Sequence, residues 1–364
     1  MNFQKASAVI LAIICLGLFS VILDVAQPVF VPLVIAILLS FVLAPAVELL
    51  RKIFIPKPVA IGIVILMILG LFFLIALFFY SSFQSFIRAY PGYQERLVQL
   101  VDDFTSWLAE RLGMPTDLFG DISWPQMVRG YLLSVPGTFV GFARSIFIIT
   151  IFLIFLLIEF PSLPEKLQKA FKETTSVKIG QVIGHIDKQI GRYLTLKILI
   201  SSATGVSIWL SLTIIGMDFP VVWGFLGFIL NFIPSIGSTV HFVVTSIFGF
   251  IQFLPGSVGQ AIAVAVALFT IQSVLGTFLD PRLQGSRLDL SPFLVLFSLI
   301  FWGWLWGAVG MFLATPIIVA IKIVCENIPS LQAVSILMGR QGIRKFRMLK
   351  RKRGDDGEKE NSDG

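Results

Sequence analysis

A chain of 364 residues in which 56% are apolar and only 13% charged cannot hide its apolar surface in a water-soluble core. The mean hydropathy of +0.91 agrees, and apolar runs of about 20 residues point to helices rather than barrel strands. The fold class is therefore all-α, a polytopic integral membrane protein, and the formal charge of +7 does not call for nucleic acid because the basic residues flank the apolar runs.

Taken in order, runs long enough to cross a bilayer fall at residues 6–23, 29–50, 59–79, 138–160 and 198–216. The start resembles a signal peptide in outline, but Asp24-Val-Ala-Gln is a poor cleavage site, so an uncleaved first helix is expected. Arg51, Lys52 and Lys57 crowd the turn after the second run, and seven lysines and arginines lie between Lys166 and Lys197 after the fourth. Positive-inside bias puts both segments in the cytoplasm, together with the N-terminus and the C-terminus. The segment 81–137 then lies outside. In it Tyr93, Leu97, Leu100, Val101, Phe104, Leu108 and Leu112 recur at helical steps, the pattern of an amphipathic helix resting on its own membrane domain, a neighbouring subunit or a partner. Residues 161–197 read as a second amphipathic helix, with Ile179, Ile183, Ile186 and Ile190 on one face. Cys15 and Cys325 fall in or beside apolar runs and are expected to be free thiols acting as small hydrophobes.

Three apolar stretches follow, at 219–254, 257–279 and 291–324. The middle one is the sixth clear span. The outer two are too long for simple crossings, and each is broken near its centre, at Asn231-Phe-Ile-Pro234-Ser-Ile-Gly237 and between Gly303 and Gly310. Broken helices are tolerated at membrane depth where the freed backbone faces protein or a water-filled cavity, and in secondary transporters they often mark the substrate site. Two broken or re-entrant helical hairpins of opposite orientation around one span bring the total to about eight membrane segments. The expected organisation is an N-terminal three-helix region (1–80), the outer segment (81–137), a fourth helix (138–160), the cytoplasmic segment (161–197), a transport region (198–326) and a mostly disordered tail (327–364). The tail's basic half, Arg340 to Arg353, should associate with anionic lipid headgroups.

The side chains inside these stretches narrow the chemistry. A cation antiporter needs a carboxylate that trades a proton for an ion. Between Ile198 and Ile321, Asp218, Asp280 and Asp289 fall at span ends, and within the spans only His241 is ionisable. Hydroxyls and amides predominate instead, which suit a small uncharged polar solute. The expected translocation residues are Asn231, Pro234, Ser235, Gly237, Ser238, Gln272, Gly303, Gly307 and Gly310, and single cysteines introduced at 235 and 306 should be reachable by aqueous reagents and protected by substrate. His241, Asp218 and Asp280 are the residues available for ion or proton coupling. Alternatives stand beside these assignments. Gly303 and Gly307 also fit close helix packing, His241 fits a buried structural histidine, and Trp302, Trp304 and Trp306 fit interface anchors. No phosphate-binding loop, His-Glu-x-x-His or Gly-x-Ser-x-Gly motif is present, so neither an enzyme nor a cofactor or metal is expected.

Asn231-Phe-Ile-Pro-Ser-Ile-Gly237 resembles the Pro-x-x-Gly break of the autoinducer-2 exporter (AI-2E) family of bacterial permeases. Pro281-Arg-Leu-Gln-Gly285, Leu290-Ser-Pro292, Gly303, Gly307, Gly310 and Pro316 are similar to that family's C-terminal signature in order and spacing, and Ile186-Asp-Lys-Gln-Ile-Gly-Arg-Tyr193 to its approach to the fifth span. The resemblance reaches to about residue 335. Where the family usually carries an aromatic and a proline, this chain has Ser235 and Ser238. The resemblance implies an inner-membrane exporter of small polar organic molecules such as autoinducer-2, in a homo-oligomer, with a pentamer suggested by relatives. A sodium or lithium/proton antiporter and a non-transporting membrane scaffold are the alternatives.

Overall fold

The computed structural model describes residues 17–18, 20–112, 124–162, 166, 173–254, 256–284 and 290–339. Among these the regular structure is helical, with an isolated bridge between Leu290 and Gly339 and no named strand. The first expected span lies largely outside the described residues, as do Cys15, Arg287, Asp289 and the basic tail.

After a short helical stretch and a turn at Ala26, α1 runs Gln27–Lys52. It starts on Pro28, whose missing N–H costs nothing in a first turn, and ends on Arg51 and Lys52, cations that suit a helix C-terminus. Three long helices follow: α2 at Lys57–Leu112, α3 at Trp124–Glu159 and α4 at Glu173–Ile215. Each differs from the expected outline in the same way. The third span and the outer segment form one helix of 56 residues, about 84 Å long at 1.5 Å per residue. The fourth span begins within the outer segment, and the cytoplasmic segment runs unbroken into the fifth. The reason is physical. Polar residues after Phe79 signal where a chain leaves a bilayer, but only proline or glycine chemistry stops a helix, and the lone Pro91 removes a single backbone bond.

The remaining elements are α5 (Pro220–Leu230), α6 (Ile236–Phe253), α7 (Val258–Ile271), a π-helical segment (Gln272–Leu279), α8 (Asp280–Gln284), α9 (Pro292–Asn327) and α10 (Gln332–Met338). Six helices among the described residues are long and apolar enough to cross a membrane: α1, α2, α4 from Ile186, α6, α7 with its π segment, and α9. At 11 residues, or about 16 Å, α5 is too short to cross a hydrocarbon core of about 30 Å.

The described residues fall into two compact units, one drawn from 1–58, 151–197 and 281–364, the other from 59–150 and 198–280. In the first, Ile190, Tyr193 and Leu194 of α4 bury against Val319 and Ile323 of α9, with Leu38 and Phe41 of α1 beside them. A second core there gathers Leu23, Leu305, Trp306 and Leu313. The first unit also buries two cations, Lys197 and Lys322, the latter 3.6 Å from Glu326 one turn on. Cys325 is a buried free thiol. In the other unit the core is Ile208, Leu212 and Met217 against Val264 and Leu268.

Candidate functional site

Both broken stretches are hairpins, built differently and lodged in different units. In the second unit, α5 ends at Leu230 and α6 begins at Ile236, so the break is Asn231–Ser235. Ser235 sits at φ +60°, ψ −53°, and the Ile236 amide donates to the Pro234 carbonyl at 2.6 Å across it. That is a γ-turn of positive φ, a rare and strained backbone form. Pro234 fixes the approach, and Gly237 permits the return, since a Cβ there would collide with the Leu230 carbonyl oxygen.

The backbone groups freed by this break largely find partners within the hairpin. Asn231, Phe232 and Ile233 donate to carbonyls of the last turn of α5, and the Gly237 amide reaches the Ile233 carbonyl at 3.1 Å. Ser238 and Thr239 donate their hydroxyls to the Ser235 carbonyl at 3.1 and 2.8 Å. Asn231 is buried and gives its side-chain amide to the Ser201 hydroxyl of α4 at 3.0 Å. Pro234 and Ser238 are half-buried, while Ser235 is exposed.

His241 is buried on α6, its Nε2 2.9 Å from the Trp223 carbonyl and 3.4 Å from the Thr245 hydroxyl. The carbonyl partner assigns the proton to Nε2, the arrangement of a histidine that ties α6 to α5. Two polar groups that sequence reasoning passed over lie on the same hairpin. Trp223 Nε1 and Ser246 Oγ are buried without a hydrogen-bond partner among the described residues. Nothing in the sequence pattern singles them out, because a tryptophan and a serine in an apolar run read as packing.

Gln272 opens the π segment and is half-buried, its amide folded over Gly276 of its own helix. π-helical turns are rare and recur at functional sites. Asp218 is exposed at the turn between α4 and α5, where it accepts a hydrogen bond from the Tyr93 phenol. Its amide donates to Gln252 Oε1 at 2.9 Å, and Arg96 donates to the Gln252 carbonyl at 2.8 Å. Tyr93 also packs among Phe86, Phe219 and Phe248. The outer part of α2 thus rests on its own unit. Asp280 begins α8 and is half-buried.

In the first unit, α9 is a hairpin rather than one helix. Trp306 and Gly307 leave helical geometry, Gly307 at φ +60°, ψ −142°, a region open to glycine alone. The limbs return on one another so closely that Ser298 Oγ donates to the Ala314 carbonyl, 16 residues on, at 3.0 Å. Gly303 lies against Met311, and a Cβ at Gly310 would collide with the Trp302 carbonyl oxygen. These contacts are helix packing. Trp306 is 3% exposed and donates Nε1 to the Leu23 carbonyl at 3.2 Å. Its side chain fills a core, which overturns the expectation that position 306 is open to aqueous reagents. Thr315 Oγ1 is buried here without a partner among the described residues.

The structure therefore gathers Asn231, Pro234, Ser235, Gly237, Ser238 and His241 on one hairpin, in the unit that also holds Gln272, Asp218 and Asp280. Gly303, Gly307 and Gly310 form the turn of the other hairpin, in the other unit. No cluster of three or more potential metal ligands occurs among the described residues.

Against known proteins, residues 9–330 match the AI-2E family transporter profile. A protein of Borreliella burgdorferi, named for transport without a substrate, is 34% identical over 331 residues, covering 91% of this chain and 89% of its own. The AI-2 transport protein TqsA of Escherichia coli K12 is 29% identical over 333 residues, covering 90% of this chain and 94% of that one. A Haemophilus influenzae protein, likewise named for transport, is 28% identical over 337 residues, covering 89% and 95%.

Proposed function

The chain belongs to the AI-2E transporter family and is a multi-pass transport protein of the bacterial inner membrane, and we propose that it exports small, polar, uncharged organic molecules, with an autoinducer-2-like compound as the leading substrate. The observation that carries this reading is the α5–α6 hairpin. Its polar groups are hydroxyls, amides, an indole N–H and the His241 imidazole tied to the Trp223 carbonyl, with Trp223 Nε1 and Ser246 Oγ buried and unpartnered among the described residues. Such groups complement a polyol or hydrated carbonyl compound, which offers both donors and acceptors. The likeness to a protein named for AI-2 transport supports the substrate class.

The antiport alternative has less behind it. His241 is held by the Trp223 carbonyl, and Asp218 by Tyr93. The test is a flux assay in everted membrane vesicles, where export appears as uptake. Vesicles carrying this chain should accumulate autoinducer-2 above vesicles without it. A sodium-dependent change in internal pH with no autoinducer-2 uptake would replace this reading with cation antiport. Absence of both fluxes would leave a scaffold.

A further inference from the structure

In the first unit, α1 and α4 line an open-sided cavity of about 500 Å³. Its walls change character along α1. Phe41 and Pro45 are apolar, Glu48 lies at the far end, and Asp187, Lys188 and Arg192 come from α4. Phe41 and Glu48 are about 10 Å apart along the helix axis at 1.5 Å per residue, and the apolar run of α1 ends just beyond them, before Arg51 and Lys52. The cavity therefore spans the level at which hydrocarbon gives way to headgroups, on the side that positive-inside bias assigns to the cytoplasm.

Its charged groups are two acids and two bases rather than a basic cluster, with Thr195 beside them. Arg51 holds Glu48 at 2.7 Å, but both side chains remain about half exposed, so the carboxylate stays within reach of a ligand. Gly191 packs over the Phe41 carbonyl, where a Cβ would come within 3.2 Å of the oxygen, so α4 lies close on α1 here. Carboxylates suit a primary ammonium, Lys188 and Arg192 suit a phosphate, and the apolar wall suits an acyl chain.

We propose that this cavity binds a zwitterionic phospholipid with a primary ammonium headgroup, phosphatidylethanolamine, drawn from the leaflet on the basic side. The ammonium lies between Glu48 and Asp187, the phosphate against Lys188 and Arg192, and the first acyl carbons on Phe41 and Pro45. The assignment rests on the first unit alone and does not depend on the transported substrate.

The test uses purified full-length protein in mild detergent, titrated separately with dioleoyl lipids bearing ethanolamine, choline or glycerol headgroups, and with water-soluble glycerophosphoethanolamine. Native mass spectra report retained lipid, and thermal unfolding reports stabilisation. The ethanolamine lipid should be preferred about tenfold over the choline lipid, the effect of losing one charge-assisted hydrogen bond. Glu48→Gln with Asp187→Asn should abolish that preference, and Ala44→Trp, which fills the cavity, should prevent retention of any lipid while leaving the lipid-free unfolding midpoint in place. If the double variant does not fold, Arg192→Gln gives a second reading, since it should weaken the ethanolamine and choline lipids alike. Equal retention of all three lipids by the wild type overturns the proposal. So does a preference for the glycerol lipid, or stabilisation by glycerophosphoethanolamine alone.

Discussion

Asn231 is a polar residue at a helix break, and it is buried. Its amide donates to Ser201, which is wholly buried on α4. Replacing Asn231 with leucine removes the donor and leaves a buried hydroxyl to seek another partner, a loss of about 1–3 kcal/mol. Asn231→Leu should therefore lower the unfolding midpoint as well as export. In a double-mutant cycle with Ser201→Ala, the loss in the double variant should fall short of the sum of the two single losses by about 1 kcal/mol. Strict additivity of unfolding free energies would show that the bond contributes nothing. Phe73→Leu, on a residue 64% exposed on α2, is the neutral control. At this scale the sequence shows which residue types stand at a break but not whom they meet. The partner of Asn231 lies 30 positions away and that of His241 is a backbone carbonyl 18 positions away.

The hairpins were legible because breaking a helix leaves a chemical signature. Proline and glycine had to appear where the chain reverses, and Gly237, Gly307 and Gly310 each stand where a side chain would collide with a carbonyl or would need a forbidden backbone angle. The continuity of α2 was not legible, because hydropathy marks the membrane boundary and carries no information on whether a helix continues past it. The π segment was not legible either. Gln272-Ser-Val-Leu-Gly-Thr-Phe-Leu279 reads as ordinary helix, and the extra residue per turn is a product of its surroundings. The hairpin glycines lead to a graded outcome. Gly237→Leu and Gly310→Leu drive a side chain into backbone rather than into a yielding side chain, so each should destabilise by more than the about 1–3 kcal/mol typical of overpacking. Pro234→Leu adds no such collision and should fold at near wild-type yield while reducing export. Folded yield by size-exclusion chromatography, read beside vesicle uptake, separates the two cases. Wild-type yield and midpoint for both glycine variants would mean that the limbs are further apart than these contacts require.

For the whole molecule, the faces left outside each unit bear on assembly. On α2, Leu66, Met67, Leu71, Phe73 and Leu74 are all more than half exposed, and Phe147 and Phe155 of α3 and Ile214 of α4 are similarly bare. In water such surface would be untenable. In a bilayer it can face lipid, and lipid offers no hydrophobic drive for helices to associate. In a membrane-embedded assembly the same surface can also face a neighbouring subunit. We propose a homo-oligomer, with a pentamer as the expected form. Native mass spectrometry in mild detergent should then return a dominant species at five times the 40.3 kDa chain mass. Charged substitutions on a subunit-facing patch should dissociate it, whereas the same substitutions on a lipid-facing patch should impair insertion instead. Introducing glutamate singly at Leu71, Phe155 and Ile214 distinguishes the two by whether monomer or loss of membrane-inserted protein results. A spectrum of monomers alone from the unmodified chain, at concentrations where it is fully folded, would end the oligomer reading.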